Sequence, residues 1–516
     1  MPKQQRLLTG TILLTAAGLI SRLIGFFYRI FLSHTIGAEG LGIYQLILPI
    51  FSLSYAFTVM GIQTALSRCI SAKSAVGDQK GAKDLLITGS VLSLLLSLAA
   101  SFFLYQGSEW FCRNILSEAA CIPLMKLMAL TIPFGTLHIC FVSYYFAARN
   151  TWIPSLGQLL EQLLRVSASW LFYSLMLKNG TEATPMLAVA GTAAAEIFSL
   201  LYIVFFLRKD FHKEGYVFCL ASPWKKYASE IIQLAAPLSA NRIILNLMKS
   251  GESILIPICL VQYGLTSSEA LSIYGVLTGM ALPLILFPST ITQSVSVMLL
   301  PAVSESKAQN NYRRIAFTVE KTIRYGLFLG ILCFGIFFTC GDSIGILLFH
   351  SQEAGQFISM LAFLCPFLYL SSTLASIING LGKTACYFIQ NLTGLTVRII
   401  CVLLLVPKTG IAGCLWGILG NEILLVILSL CTLYREHVLI FSAWNSLVKP
   451  GIFLILSAGG SHLADTVLSS LGMNDFIVTA AKCFVICITY ICLLLTFQLI
   501  HLPKNIDPLH LNIDKK

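Results

Sequence analysis

Four basic residues recur at one fixed spacing inside two long apolar stretches, the first and the seventh along the chain. Arg22 and Arg29 lie seven residues apart in the first stretch, and Arg242 and Lys249 repeat that spacing in the seventh. Seven residues are about two helical turns, so both members of each pair leave their helix on one face. A guanidinium group binds phosphate oxygens through two parallel hydrogen bonds. The spacing therefore predicts a site that follows a diphosphate and its first attached sugar.

The apolar stretches contain more buried bases than buried acids. The bases are Arg22, Arg29, Arg165, Arg242, Lys249 and Arg398, and the acids are Glu161, Glu196, Glu252 and Glu422. Because cations outnumber acids, mutual pairing cannot neutralise every one of them if all remain ionised. We expect an anion or water to complete the site, with Arg165 and Arg398 shaping its cavity.

Two alternative roles are open for the acids of the apolar stretches and the bases near them. Glu161 with Arg165 and Lys249 with Glu252 stand at helical spacings of four and three residues, so they could form structural pairs within their own helices. Glu252 could instead bind a sodium ion or a proton. Arg22 and Arg242 have no acid within one turn and keep the anion-binding interpretation.

The stretches that position these residues are long enough to cross a bilayer, which takes about 20 apolar residues. The chain has 516 residues, of which 57% are hydrophobic and 11% charged, and its mean hydropathy is +0.83. We predict an all-α, polytopic membrane protein. Its fourteen segments run from 7 to 32, 43 to 67, 84 to 105, 122 to 147, 153 to 177, 185 to 207, 231 to 261, 271 to 300, 322 to 349, 357 to 379, 385 to 406, 411 to 434, 446 to 466 and 474 to 500.

Basic residues in the connections set the orientation. Most of the 34 lysines and arginines fall on the side of the N-terminus, which predicts that both termini are cytoplasmic. The net charge of +11 has the same origin, because the bases form no contiguous patch of the kind that binds nucleic acid. The 16 cysteines stand singly and are expected to be reduced, although Cys112 and Cys121 share one outer loop and could form a disulfide.

The chain repeats itself at half length. Residues 128 to 166 align without gaps with residues 361 to 399, which places Arg165 on Arg398, and Arg22 and Arg29 return as Arg242 and Lys249. Six segments per copy make the two copies parallel, with substrate expected between them near the membrane midplane. The predicted parts are an N-lobe at 1–207, a cytoplasmic linker at 208–230, a C-lobe at 231–434, a helix pair at 446–500 and a cytoplasmic tail at 501–516.

Motifs in the first segments carry a resemblance to a known family. Ser21, Arg22, Gly25 and Phe26 form a Ser-Arg-x-x-Gly-Phe pattern, and Ile36, Gly37, Gly40, Gly42 and Tyr44 form Ile-Gly-x-x-Gly-x-Gly-x-Tyr. With these motifs the whole chain resembles the polysaccharide and lipid-linked oligosaccharide flippases of the multidrug/oligosaccharidyl-lipid/polysaccharide exporter superfamily, most closely a sporulation branch. It is also similar to the lipid II flippases, although residues 41 to 67 and 271 to 300 lack the charges that those proteins carry there.

The resemblance implies two six-helix lobes and a final helix pair bordering a groove for lipid tails. It implies a non-enzymatic flippase of the bacterial plasma membrane whose partners are membrane lipids and an undecaprenyl-diphosphate-linked saccharide. A peptidoglycan precursor for the spore cortex is the expected example. No cofactor is expected beyond a coupling Na⁺ or H⁺, and protein partners are not predicted.

Two other functions are open. A drug or toxin antiporter of the same superfamily that exports cations should have an acidic cavity, whereas this chain has excess bases. A membrane-embedded glycosyltransferase would need an outer loop with catalytic acids, and the longest connection, 208 to 230, is too short for a catalytic domain.

Overall fold

The computed structural model describes residues 3–213, 216, 224–470 and 473–499. Helices account for nearly all of this part of the chain, and none of it forms a strand. The α-helices are α1 (Lys3–Tyr55), α2 (Gly61–Ala75), α3 (Gln79–Trp110), α4 (Cys121–Ala147), α5 (Trp152–Lys178), α6 (Met186–Lys213), α7 (Trp224–Tyr263), α8 (Ser267–Gly275), α9 (Leu282–Leu286), α10 (Ser289–Ala308), α11 (Tyr312–Phe349), α12 (Gln352–Leu361), α13 (Cys365–Gly380), α14 (Thr384–Thr409), α15 (Ile411–Arg435), α16 (Lys449–Ser470) and α17 (Asp475–Thr496). Short π-helical or 3₁₀ segments at Ala56–Met60, Phe111–Ile115, Val276–Ala281, Ala362–Leu364 and Trp444–Val448 join or extend them.

Each of the fourteen predicted segments coincides with helix, and the prediction of an all-α membrane fold is confirmed. Within the described residues, twelve helical stretches are long and apolar enough to span a membrane. The first of these, Leu13–Ala75, contains two predicted segments, and the fifth predicted segment forms α5. Large apolar side chains such as Phe102 and Phe103 on α3 are 67% and 65% exposed, as expected of surfaces that face lipid. The chain is therefore a multi-pass membrane protein.

A glycine divides the long helix α1 into its two predicted segments. Gly37 has φ 69° and ψ −175°, which lies outside the helical region and is accessible mainly to glycine. Proline breaks the eighth segment in a similar way, because α9 ends at Leu286 and α10 begins at Ser289 after Pro288. By contrast, Pro237 and Pro257 both lie inside the single helix α7.

The internal repeat is visible in local structure. An offset of 233 residues separates the end of α4 at Ala147 from the end of α13 at Gly380. In the turns that follow, Arg149 and Gly382 stand at the same offset, and both adopt a left-handed conformation, with φ 56° and 74°. Matching backbone hydrogen bonds, from Asn150 to Tyr145 O and from Lys383 to Ile378 O, close the two turns.

The first of two compact units comprises Met1–Thr290 and Phe388–Asn421. Its core includes Leu66 of α2, Leu85 of α3 and Ile231 of α7. In this unit α1 and α8 approach so closely that a Cβ on Gly42 would overlap Leu271 O, and a Cβ on Gly275 would overlap Ala38 O. Gly42, the last glycine of the Ile-Gly-x-x-Gly-x-Gly-x-Tyr motif, therefore has a packing role.

The second compact unit comprises Ile291–Tyr387 and Glu422–Lys516. Helix α11 is its centre, with Ile323 and Phe328 packed in one core with Leu374 of α13 and Tyr490 of α17. The hydroxyl of Tyr490 donates a hydrogen bond to Phe328 O at 3.3 Å. The predicted division into an N-lobe and a C-lobe stays a prediction.

The predicted linker lies partly, and the predicted tail wholly, outside the described residues. Helix α6 continues to Lys213 and α7 begins at Trp224, so helix covers both ends of the predicted linker. Between them Tyr216 donates a hydrogen bond to the Asp84 carboxylate, and its ring lies 5.0 Å from Lys83 Nζ. The predicted tail, 501–516, is outside the described part of the chain.

Candidate functional site

The first cation pair stands on the N-terminal half of α1, which α5 holds in place. Tyr28 and Ser169 share a hydrogen bond of 2.8 Å, and Ser21 Oγ donates to Gln158 O at 3.4 Å. Arg22 is exposed, and Arg29 is half-buried with one long bond of 3.4 Å from Nη1 to Thr278 O. Neither arginine forms an ion pair with any described residue. Because a guanidinium carries five N–H donors, both retain donors for an anion.

The second cation pair stands on α7. Arg242 and Lys249 are both exposed, and within the described chain neither forms an ion pair. The helix is fixed beside α1 through Ser250, whose hydroxyl donates to Pro49 O at 2.9 Å. All four predicted anion-binding residues of α1 and α7 thus lack an acidic partner in the part of the chain that the structure describes.

Arg165 differs, because it is neutralised on its own helix. Its Nη2 lies 2.6 Å from Glu161 Oε1, and its Nη1 donates to Gln162 Oε1 at 3.0 Å. The predicted Glu161–Arg165 pair is therefore present. Glu196 of α6 lies near this pair and accepts a 3.4 Å hydrogen bond from the hydroxyl of Tyr55.

Arg398 is neutralised as well, but by an acid on another helix. Its Nε forms an ion pair with Glu252 Oε1 on α7, and the side chain of Glu252 is only 4% exposed. The alternative in which Lys249 pairs with Glu252 is not the ion pair that the described residues form, since the carboxylate is bound by Arg398, while Lys249 stays exposed and acts on Glu252 only through its charge. Helical spacing alone could not identify a partner about 150 residues away. A cation that binds Glu252 would have to displace the guanidinium of Arg398 or share the carboxylate with it. The coupling role of Glu252 stays a prediction.

The pairing divides the six predicted cations into two classes. Arg165 and Arg398, the two arginines that the repeat aligns, each form an ion pair with an acid, whereas Arg22, Arg29, Arg242 and Lys249 form none with any residue that the structure describes. The four without an acid are the ones on the first and seventh segments. This arrangement leaves positive charge on α1 and α7 that can bind an anion.

Sequence reasoning missed several polar partners around the charged residues. Gln162 stands three residues before Arg165, a spacing that could have identified it. Tyr55 as the donor to Glu196 and Ser371 as the 2.8 Å donor to Glu422 join separate helices and leave no local signal. Cys112 and Cys121, which could have formed a disulfide, are both buried free thiols.

Comparison with known proteins agrees with this architecture. The chain is 27% identical to stage V sporulation protein B of Bacillus subtilis (strain 168) over 502 residues, which are 96% of each protein. Its fold matches the structure of lipid II flippase MurJ in an inward closed conformation with a TM-score of 0.73, 16% identity and coverage of 94% of this chain and 98% of that one. It also matches an inward-facing multidrug resistance MATE family transporter of the MOP superfamily with a TM-score of 0.61, 14% identity and coverage of 83% and 98%. At these identities the structural matches establish the fold.

The family model described as polysaccharide biosynthesis protein matches residues 7–307, more than half of the chain. This stretch contains both cation pairs and the two motifs of the first segments. The chain belongs to the polysaccharide biosynthesis protein family.

Proposed function

We propose that this protein is a non-enzymatic flippase that moves an undecaprenyl-diphosphate-linked saccharide from the inner to the outer leaflet of the bacterial plasma membrane. The observation that carries the proposal is the set of four basic side chains on α1 and α7 with no acidic partner among the described residues. A polytopic fold with such uncompensated charge needs an anion at these helices, because charge within a membrane is costly unless it is paired.

The chemistry of the four residues suits a diphosphate. Arg22, Arg29 and Arg242 offer planar forks that can each hold two phosphate oxygens, and Lys249 adds a point charge. Arg165 and Arg398 are already occupied by carboxylates, so we assign them to shaping the site. Glu252 is the candidate for coupling to Na⁺ or H⁺, and the two termini are expected to be cytoplasmic.

The name of one structural match supports a lipid-linked cargo, and the name of one relative supports a role in sporulation. One relative is a stage V sporulation protein and one structural match is a lipid II flippase. A peptidoglycan precursor used in the spore cortex is therefore the cargo that we propose to test first. Alternating access by the two predicted lobes would carry it across.

The similarity in fold to a multidrug transporter keeps a cation antiporter as the second candidate. A cavity for cationic drugs should offer carboxylates. Among the acids near the candidate site, Glu161 and Glu252 are bound by arginines, and Glu196 accepts a hydrogen bond from Tyr55. This pairing favours the anionic cargo.

The test is leaflet exchange of a labelled undecaprenyl-diphosphate saccharide in proteoliposomes. We would compare the native chain with Arg22→Ala and Arg242→Ala, and use Arg435→Ala, an exposed arginine at the end of α15, as the matched control. We expect the native chain and the control to expose the label to an outside reagent, and both cavity variants to lose most of this activity while remaining folded.

Two results would overturn the proposal. If the native chain moved cationic dyes but no diphosphate lipid, the antiporter would be the better assignment. If the Arg22 and Arg242 variants exchanged the lipid as fast as native protein, the cations would not hold the diphosphate.

A further inference from the structure

Four helices of the first compact unit bring a cluster of ionisable side chains together. Its members are Tyr55 of α1, His138 of α4, Glu161 and Arg165 of α5, and Glu196 of α6. The ion pair of Glu161 with Arg165 has no net charge. Glu196 forms no ion pair with any residue that the structure describes, so an ionised Glu196 leaves the cluster with one uncompensated negative charge.

The guanidinium of Arg165 is already used by its own helix. Its Nη2 lies 2.6 Å from Glu161 Oε1, and its Nη1 donates to Gln162 Oε1 at 3.0 Å. Helix α6 is held close to this pair, because a Cβ on Gly191 would lie 2.9 Å from Arg165 O. Glu196 is therefore near enough to Arg165 to feel its charge, but it accepts no hydrogen bond from it.

The carboxylate of Glu196 is packed between α1 and α4. The hydroxyl of Tyr55 donates a 3.4 Å hydrogen bond to Glu196 Oε1, and the carboxylate accepts no other from the described part of the chain. A Cβ on Gly135 of α4 would overlap the Tyr55 hydroxyl and lie 2.7 Å from Glu196 Oε2. Because an ionised carboxylate has about four acceptor sites, this one long bond stabilises the charge poorly.

His138 is a second polar group of the cluster with capacity left over. It is only 8% exposed, it feels the charge of Glu161, and neither of its ring nitrogens forms a hydrogen bond with a described residue. It stands three residues after Gly135, which places it on the face of α4 that meets Glu196. The ring nitrogens can exchange hydrogen bonds with water, the carrier that delivers protons to a buried acid.

The depth of Glu196 makes an uncompensated charge costly. It is ten residues from the start of α6 at Met186, or about 15 Å along the helix, half of a hydrocarbon core of about 30 Å. A metal cation would need several oxygen ligands to neutralise it. A proton needs one carboxylate oxygen and adds almost no volume. Oε2 is that oxygen, since Oε1 accepts from Tyr55.

We infer that Glu196 is the acceptor of a proton-binding site inside the first compact unit. Uptake of one H⁺ converts the carboxylate to the carboxylic acid and brings the cluster from one negative charge to zero, while Tyr55 keeps donating to Oε1. A role of this proton in driving transport rests on the proposed function. The site is separate from Glu252, which Arg398 neutralises.

The test is infrared spectroscopy of the full-length protein in lipid nanodiscs, following the carbonyl band of protonated carboxylic acids as the pH is changed. Glu196→Gln keeps the side-chain shape and cannot titrate, and Tyr55→Phe removes only the hydroxyl. The matched controls are Glu182→Gln, in the exposed connection between α5 and α6, and Tyr434→Phe, at an exposed position.

At about pH 6 exposed glutamates are ionised, because their pKa is about 4.3. We expect native protein to show a protonated-carboxyl band at this pH that Glu196→Gln removes and both controls keep. In Tyr55→Phe the band should persist to higher pH than in native protein, because the ionised form loses its hydrogen bond.

Three results would overturn the proton site. Glu196→Gln could leave the band unchanged, which would mean that Glu196 is ionised. Replacing choline chloride by sodium chloride at constant pH could remove the band, which would identify a sodium site instead. If Glu196→Gln failed to fold, Tyr55→Phe would decide, and an unchanged titration there would contradict the inference.

The leaflet-exchange assay, run with an acidic outer side, separates this inference from the proposed function. We expect the gradient to accelerate exchange by native protein and by Glu182→Gln, and to have no effect on Glu196→Gln. If native protein exchanged no diphosphate lipid while the infrared band behaved as expected, the proposed cargo would be wrong and the proton site would stand. If native exchange ignored the gradient, the role of the site in driving transport would be wrong.

Discussion

The carboxylate of Glu252 on α7 forms an ion pair with Arg398 on α14, two residues separated by most of the C-terminal repeat in sequence. Arg165 occupies the equivalent repeat position, yet its acid is Glu161 on the same helix. The repeat aligns Glu252 with Leu32 and Glu161 with Gly394. The two halves of the chain therefore contain the same half-buried arginine and neutralise it with acids from different positions.

The Glu252–Arg398 pair gives the first prediction. Arg398→Met should lower stability by about 3 kcal/mol, because it leaves a buried carboxylate without its partner. The double variant Arg398→Met with Glu252→Leu should regain much of that loss, since it buries no charge. Thermal unfolding in detergent would measure both.

Lys249→Met is the control for that pair. Lys249 is exposed, and Glu252 is bound elsewhere, so its loss should change stability by less than about 0.5 kcal/mol. A large loss in Lys249→Met together with a small one in Arg398→Met would contradict the pairing.

The second prediction separates binding residues from structural ones. Arg22→Ala and Arg242→Ala should reduce leaflet exchange about tenfold or more through loss of charge-assisted hydrogen bonds, with little change in thermal stability. Arg165→Ala should lower stability as well, because Glu161 loses its ion pair and Gln162 loses a hydrogen bond. Equal losses of stability in all three variants would show that Arg22 and Arg242 are structural.

The third prediction concerns the contact of α1 with α8. Gly42→Ala should destabilise the protein by about 1–3 kcal/mol, because its Cβ would overlap the backbone of Leu271 and the helices must separate. Gly18→Ala on the same helix is the matched control, since nothing lies within 4 Å of the added Cβ, and it should be neutral or slightly stabilising. Comparison of melting temperatures distinguishes the two.

The fourth prediction uses the two left-handed turns of the repeat. Gly382 adopts φ 74° and Arg149 adopts φ 56° at the aligned position. Replacing Gly382 by Ala should cost about 1 kcal/mol, because a Cβ is unfavourable in this conformation. Arg149→Gly should be neutral or stabilising by up to about 1 kcal/mol for the same reason. If Gly382→Ala stabilised the protein and Arg149→Gly destabilised it, contacts of these side chains would outweigh the backbone preference.

The fifth prediction is a pH dependence at the start of α3. Asp78 accepts a 2.8 Å hydrogen bond from the Gly81 amide and lies 3.2 Å from Lys73 Nζ, and these contacts hold the pKa of the Asp78 carboxyl below its usual value. The folded-state pKa is lower than the unfolded one, so the stabilisation is complete above the unfolded pKa of about 3.9 and is lost as the pH falls through the folded value.

Asp78→Asn keeps a good helix cap but cannot titrate. Native protein should therefore be more stable than Asp78→Asn at pH 7, and the difference in melting temperature should shrink as the pH falls below about 4. A difference that stayed constant down to pH 3 would rule out a contribution from the ionised carboxylate.

The sequence by itself determined the fold class and the residues worth testing. Long apolar runs must form helices in a bilayer, because every backbone group there needs an internal partner, and this rule located all fourteen segments. Rare charges within those runs identified Arg22, Arg29, Arg242 and Lys249, and the repeat identified Arg165 and Arg398 as equivalent. These signals are local or periodic, so they can be read from the chain.

Only the tertiary structure decided which charges are neutralised. Glu252 is three residues from Lys249 in sequence, yet it pairs with Arg398, because helix packing and not spacing determines which side chains meet. The close contact of Gly42 with Leu271 and the hydrogen bond of Tyr55 with Glu196 depend in the same way on residues distant in the chain. Such contacts join separate helices, and no helical period within one segment encodes them.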